Sequence, residues 1–185
     1  IVPLEPGEST VVSDPMRRSA METAQTVTVA YDNFQLASDQ VAFIRPAGWI
    51  QNNDLINISL QAHFAMGNAL AGLDVLEERF QERNQPFVKD AHDALLKEWD
   101  VLNTALAETL ISADEQTSAE RLRLRAWAIE LMGRCAHAAI TASSGASNSI
   151  HHRAQRIWRE ALVFTVSAQT SAIMEATLQR LTRPV

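Results

Sequence analysis

The chain has 185 residues, 46% of them hydrophobic, and a formal net charge of −6 from 22 acidic and 16 basic side chains. That length suits one domain, or one domain with part of another, and the apolar fraction suffices for a buried core. The acidic balance weighs against nucleic-acid binding, which needs a basic field, and no run of apolar residues is long enough to span a membrane.

Six glycines and six prolines are too few for a disordered or all-β chain. The lone Cys135 excludes an internal disulfide framework and fits a reducing, cytoplasmic location. The opening Ile1-Val2-Pro3-Leu4 has neither an initiator methionine nor the basic-then-apolar order of a signal peptide, so a fragment or processed product is expected.

Residues 1–50 and 51–185 differ in pattern, and we take them as two regions. In the first, Pro3, Pro6, Gly7, Pro15, Pro46 and Gly48 punctuate short β-type runs. Thr10-Val11-Val12 is one candidate strand. Thr26 to Tyr31 is a stronger one, with β-branched residues and Val27 and Val29 on one face. Asp32-Asn33 supplies a turn signal before Phe34-Gln35-Leu36. So little sheet is marginal in water, and it predicts the remnant of an incomplete β domain.

From Gln51 onward the apolar period becomes helical. Leu55, Ile58, Ala62, Ala65, Ala69, Leu73, Leu76 and Phe80 form one stripe, with Gly67, Ala71 and Gly72 offering a small-residue surface for close packing. Arg83-Asn84-Gln85-Pro86 ends that helix and begins the next, Asn84 serving as a cap and Pro86 sitting in a first turn. A second stripe runs through Val88, Ala91, Leu95, Trp99, Leu102, Leu106 and Leu110. Residues 112–116 read as a turn, and Thr117-Ser118-Ala119-Glu120 matches a capping box.

The third helix carries two stripes, Leu122 to Ile140 and Leu124 to Ala138, which predicts burial on two sides, one of them by another subunit or domain. A fourth helix is expected from Ile150 to Leu181, with Ile157, Ala161, Phe164, Ala168, Ser171 and Leu178 facing inward. The fold class is therefore mainly α: an antiparallel, up-down four-helix bundle preceded by a few β-strands.

Such a bundle invites a di-iron centre, but none of the five histidines has a glutamate three positions before it. Asp90 and His92 point to different helix faces, so no metal site is expected. Cys135 lies mid-helix on an apolar stripe and reads as a buried structural thiol. The stretch from Ser143 to Glu160 stands out. A Ser- and Gly-rich loop runs into a helix opening with His152, Arg153, Arg156 and Arg159, where the macrodipole favours acidic residues. An anionic ligand and ion pairs with neighbouring helices explain this equally well.

Gln155-Arg156-Ile157-Trp158-Arg159-Glu160 resembles the Leu-x-Arg-x-x-Arg-Asp pattern of the acyl-CoA dehydrogenase family and its flavin-dependent monooxygenase relatives. Ser144-Gly145 stands where that family has a Gly-Gly loop. Arg83 to Phe87 is similar to its Arg-x-x-Phe-Gly turn, with an extra residue and no glycine. Asp14 to Phe34 resembles the end of its middle β domain, and all four segments keep the family's order.

The resemblance implies the end of a β domain followed by a C-terminal bundle that forms a homodimer or homotetramer. It implies FAD as cofactor, with Arg83 and Phe87 touching flavin across the dimer, Ser144 and Gly145 near the phosphates, and Arg159 as the second motif arginine. It implies an oxidoreductase acting on CH–CH bonds of an acyl-CoA thioester. The family's catalytic base departs: Ala168-Gln169-Thr170 stands where Glu-Gly-Thr is usual, and the alternative position falls near Asn57, with Asp54 close by. The histidine of the monooxygenase branch is Ser167 here, and Glu160 replaces Asp. A catalytically degenerate homologue kept for binding or assembly, a monooxygenase relative and a plain helical interaction module are the alternatives.

Overall fold

The computed structural model describes residue 2 and residues 4–111 and 118–182, with the side chains of 50–55 and 111 set aside. The chain divides into two compact units, Ile1–Ile50 and Gln51–Val185. The fold is mainly α: a helical bundle and one small antiparallel sheet.

In the first unit, β1 (Thr10–Val12) pairs antiparallel with β2 (Val29–Tyr31), Thr10 opposite Tyr31 and Val12 opposite Val29. The expected second strand is shorter than the Thr26–Tyr31 run, and Phe34-Gln35-Leu36 is irregular backbone. Asn33 takes a left-handed φ of 49° in the predicted turn, a conformation asparagine tolerates.

The second unit holds α1 (Trp49–Arg83) from Gln51 onward, α2 (Pro86–Ile111), α3 (Ser118–Ser143), α4 (Arg153–Val166) and α5 (Ser171–Leu181). Asn84 ends α1 with φ 48°, its N–H donating to the Phe80 carbonyl at 2.7 Å, so it caps the finished helix rather than the new one. Pro86 is the first residue of α2, where a missing N–H costs nothing. The expected turn over residues 112–116 and the capping-box Thr117 lie outside the described residues. Glu120 pairs with Arg123, 2.7 Å from Nε.

The predicted stripes largely form the core. Ala62, Ala65, Ala69, Leu73 and Leu76 of α1 and Val88, Leu102 and Leu106 of α2 are buried, whereas Leu110 is exposed. The α3 helix packs against α2, α4 and α5 and meets α1 at the Gly72–Cys135 contact, so its own bundle covers most of its circumference. No second subunit is needed to bury its two stripes.

The fourth helix departs from expectation. It starts at Arg153, where the His152 ring nitrogen accepts from the Ala154 N–H at 3.1 Å, and it breaks after Val166. Ser167 is extended, Ala168 is left-handed with φ 47°, and Thr170 caps α5 by accepting from Ile173 N–H at 3.3 Å. The break resets the helical phase. Ile157 and Ala161 stay inside as expected, but Ala168, Ser171 and Leu178 are exposed, and Ile173 and Thr177 supply the inner face of α5.

Two arginines on α3, Arg121 and Arg125, are each only 1% exposed. Arg121 donates to the Thr109 carbonyl in the last turn of α2 and to Ser59 Oγ on α1, the latter at 3.1 Å. Arg125 donates to the Ser167 carbonyl beyond the end of α4 at 2.6 Å. One helix face thus carries two buried cations, each placed at the carbonyl end of a neighbouring helix, where the macrodipole is negative.

A Cβ built at Gly72 would sit 2.8 Å from the Cys135 carbonyl oxygen, whereas one at Gly67 would meet nothing within 4 Å. Gly72→Ala is therefore expected to push α1 from α3 and destabilise the bundle by about 1–3 kcal/mol. Gly67→Ala should stabilise by about 0.5–1 kcal/mol through helix propensity. Chemical denaturation of the two variants side by side checks the contrast; equal effects would refute it.

Candidate functional site

The α1–α2 turn faces the C-terminal half of α3 across a cavity of about 440 Å³. Arg83 and Phe87 enter from the turn, Arg134, His137 and Thr141 from α3, and Ser144 from the loop that follows. Leu76, Val88, Ala91, Ala138 and Ala142 form the apolar lining. Among the described residues, the lining contains two arginines and a histidine but no carboxylate.

Arg83 is exposed, and among the described residues it pairs with no carboxylate. Arg134 is committed in part, to Glu98 and, at 3.7 Å, to Glu130. His137 leans against the Trp158 ring, centroids 5.7 Å apart, which turns the aromatic anchor of α4 toward this wall. Phe87 is 67% exposed at the lip. Ser144 has φ 54° as α3 gives way to a 3-10 turn, Ser144–Asn148.

Of the five residues singled out from sequence, Arg83, Phe87 and Ser144 line this cavity; Gly145 and Arg159 do not. Arg159 reaches back to the Ile150 carbonyl at 3.3 Å and leaves its buried Nε without an acceptor among the described residues. The basic start of α4 resolves largely into ion pairs. Arg153 bridges Asp74, at 3.0 Å, and Glu78 on α1, while Arg156 lies 3.5 Å from Glu160. Arg134 and His137 were missed. Their signal is the i, i+3, i+7 line of Arg134, His137 and Thr141, a polar face on the otherwise small and apolar C-terminal half of α3.

A second cavity, of about 320 Å³, lies at the α4–α5 corner. Ala168 and Asn57, the two positions where a proton-abstracting base was sought, both line it, with Gln61, Ser118 and Thr170. The rest of the lining is apolar, so among the described residues this cavity has no titratable side chain. The side chain of Asp54 is outside those described. Ser167 Oγ donates to Gln61 Oε1 at 3.3 Å, fixing the Gln61 amide from behind.

Comparison with known proteins supports the fold alone. No protein-family model and no curated protein sequence matches the chain. A glutaryl-coenzyme A dehydrogenase in complex with glutaryl-CoA superposes with a TM-score of 0.71 at 16% identity, over 94% of this chain and 48% of its own. An acyl-CoA dehydrogenase from Geobacillus kaustophilus gives 0.73 at 12% identity, over 95% and 50%. The chain has an acyl-CoA dehydrogenase-like fold. KijD3 in complex with FMN and a dTDP-sugar shares it, with a TM-score of 0.65 at 17% identity over 94% of this chain and 48% of its own. The chain thus spans about half the length of the structures it matches.

Among the described residues, no helix is long and apolar enough to cross a membrane, and no three His, Cys, Asp or Glu side chains gather as metal ligands. Cys135, fully buried between α3 and α1, has its thiol pushed up to about 12 by burial, against a smaller opposing pull from Arg134. Its thiolate fraction near neutral pH is negligible. Iodoacetamide at about pH 8 should leave native Cys135 unmodified and label it fully in guanidinium, read by mass spectrometry. Rapid labelling of the native protein would restore it as a nucleophile.

Proposed function

We propose that this chain is the C-terminal portion of an FAD-dependent, acyl-CoA dehydrogenase-like oxidoreductase and supplies one wall of its flavin site. The observation that carries the reading is the convergence of Arg83, Phe87 and Ser144, from separate elements, on one cation-lined cavity. The residues suit a dinucleotide. A guanidinium free of carboxylates can take a diphosphate bidentately, an exposed phenyl ring can stack on a heterocycle, and His137 and Thr141 add hydrogen-bonding groups. Flavin, when bound, would supply the redox chemistry of the acyl thioester. Arg83 and Arg134 would hold negative charge, while Phe87 and the alanine floor would exclude water from the ring face.

The second cavity favours a second reading. A dehydrogenation of this kind requires a base for the proton α to the thioester, and Asn57, Gln61, Ala168 and Thr170 cannot act as one. That supports either a catalytically degenerate homologue, serving in binding and assembly, or a flavin-dependent monooxygenase relative. Turnover of an acyl-CoA by the full-length protein, followed with an artificial electron acceptor, separates these from a dehydrogenase.

A homo-oligomeric partner fits the surface. Ile56, Leu60 and Phe64 form an exposed apolar line on α1, and Phe64 stacks on Phe164 of α4 at 5.8 Å. An exposed apolar line of this kind suits a contact site.

Arg83→Gln and Phe87→Ala in the full-length protein should each lower flavin retention by roughly tenfold, the loss expected of one charge-assisted pair or one stacked ring. Absorbance after gel filtration measures it, and full retention in both variants would remove the assignment. Phe64→Glu should shift the protein to smaller assemblies by light scattering, and an unchanged mass would place the interface elsewhere.

A further inference from the structure

The break between α4 and α5 has no glycine and no proline to cause it. Ser167-Ala168-Gln169-Thr170 could continue as helix, yet Ala168 holds φ 47°, a conformation that costs an alanine about 1–2 kcal/mol. Something outside the segment must hold it.

The strongest outside contact is Arg125. Its Nη2 donates to the Ser167 carbonyl at 2.6 Å, at the residue that caps the C-terminal end of α4. Among the described residues, its Nε and Nη1 meet no acceptor. Burial alone lowers its pKa to about 10, which leaves it charged at neutral pH. An uncompensated buried cation is costly, and the negative end of α4 is the compensation in reach. The carbonyl gains a charged donor, and the guanidinium gains a helix terminus. That contact exists only while the chain leaves the helix at Ser167.

We propose that Arg125 is the positioning residue of the α4–α5 corner, holding Ala168 in its left-handed conformation and so setting the wall of the cavity shared with Asn57 and Gln61. The hydroxyl contacts assist: Ser167 Oγ reaches Gln61, and Thr170 starts α5 in its new phase. This assignment goes beyond the flavin reading and does not rest on it, since Arg125 does not line the Arg83 cavity.

Hydrogen exchange resolved to single amides tests it. The reporters are the Ile173 and Met174 N–H groups, both bonded to Thr170. Arg125→Met in the full chain should speed their exchange roughly tenfold while the α1 and α2 core amides keep their protection. Adding Ala168→Gly should restore at least half of the lost protection, because glycine adopts the corner without its steric cost. A general packing role for Arg125 predicts no such rescue. Unchanged exchange at the two reporters, loss spread evenly over all helices, or absence of rescue by glycine would each overturn the proposal. Should the methionine variant fail to fold, the same pair of measurements is made on Arg125→Lys, which keeps the charge and loses the fork. Flavin retention at the other cavity should stay unaltered in the folded variant, whichever way the flavin reading itself is decided.

Discussion

The bundle depends on how α3 places charge where a helical core has none to spare. Arg121 and Arg125 are one turn apart and both sealed from solvent. Burying a guanidinium is costly enough that an unpaired one would normally unfold its surroundings. Here each meets the carbonyl end of a neighbour, Thr109 of α2 or Ser167 of α4. Helix termini carry unsatisfied carbonyls that must be met somehow, so one contact answers two deficits. The consequence is geometric. The ends of α2 and α4 are fixed relative to α3, and Ser59 and Gln61 tie the same level of α1 into the arrangement.

This constraint separates the two cavities. The corner cavity lies beside Asn57 and Gln61 near the start of α1, whereas the cationic cavity is reached at Arg83, at its end. At 1.5 Å per residue, Gln61 and Arg83 are about 33 Å apart along α1. Midway along α3 the helices are held differently: Glu98 accepts from Trp127 at 2.5 Å and from Arg134, and Glu130 bridges Arg134 and Arg180, so carboxylates take the role that helix ends play at the corner. Glu98 shows the balance: burial pushes its carboxyl up, but the donated hydrogen bonds from Arg134 and Trp127 win and hold it below its usual range. Among the described residues, the cavity at Arg83 is lined by cations and the corner cavity by neutral amides and hydroxyls.

Much of the fold was legible because burial writes a period into the chain. The stripes of α1 and α2 are short-range patterns, and the Asn84-Gln85-Pro86 turn carries its own punctuation. The break after Val166 was not legible, since its cause lies forty-two residues upstream in Arg125, and arginine on a helix is ordinarily a surface residue. Arg121 and Arg125 belong to neither apolar stripe of α3 and lie on its polar side. Only the arrival of two helix ends on that side makes it interior.

The candidate site shows the same limit in a sharper form. The Ser143–Glu160 stretch drew attention because its basic residues are close in sequence, yet Arg153 and Arg156 spend their charge on Asp74, Glu78 and Glu160. Arg83, singled out through the family resemblance and not through any cluster of charge, is left without a carboxylate among the described residues and lies beside a cavity. Local clustering of charge tends to be self-cancelling, because a compact chain brings counter-charges to wherever like charges gather. A binding site needs the opposite: cations supplied by different elements, so that no single neighbour can neutralise them all. Arg83 from the end of α1 and Arg134 from α3 meet that condition, and Arg134 is shared with Glu98 and Glu130. The search for function in such a bundle therefore belongs at the junctions between helices, where the packing decides which charges remain available.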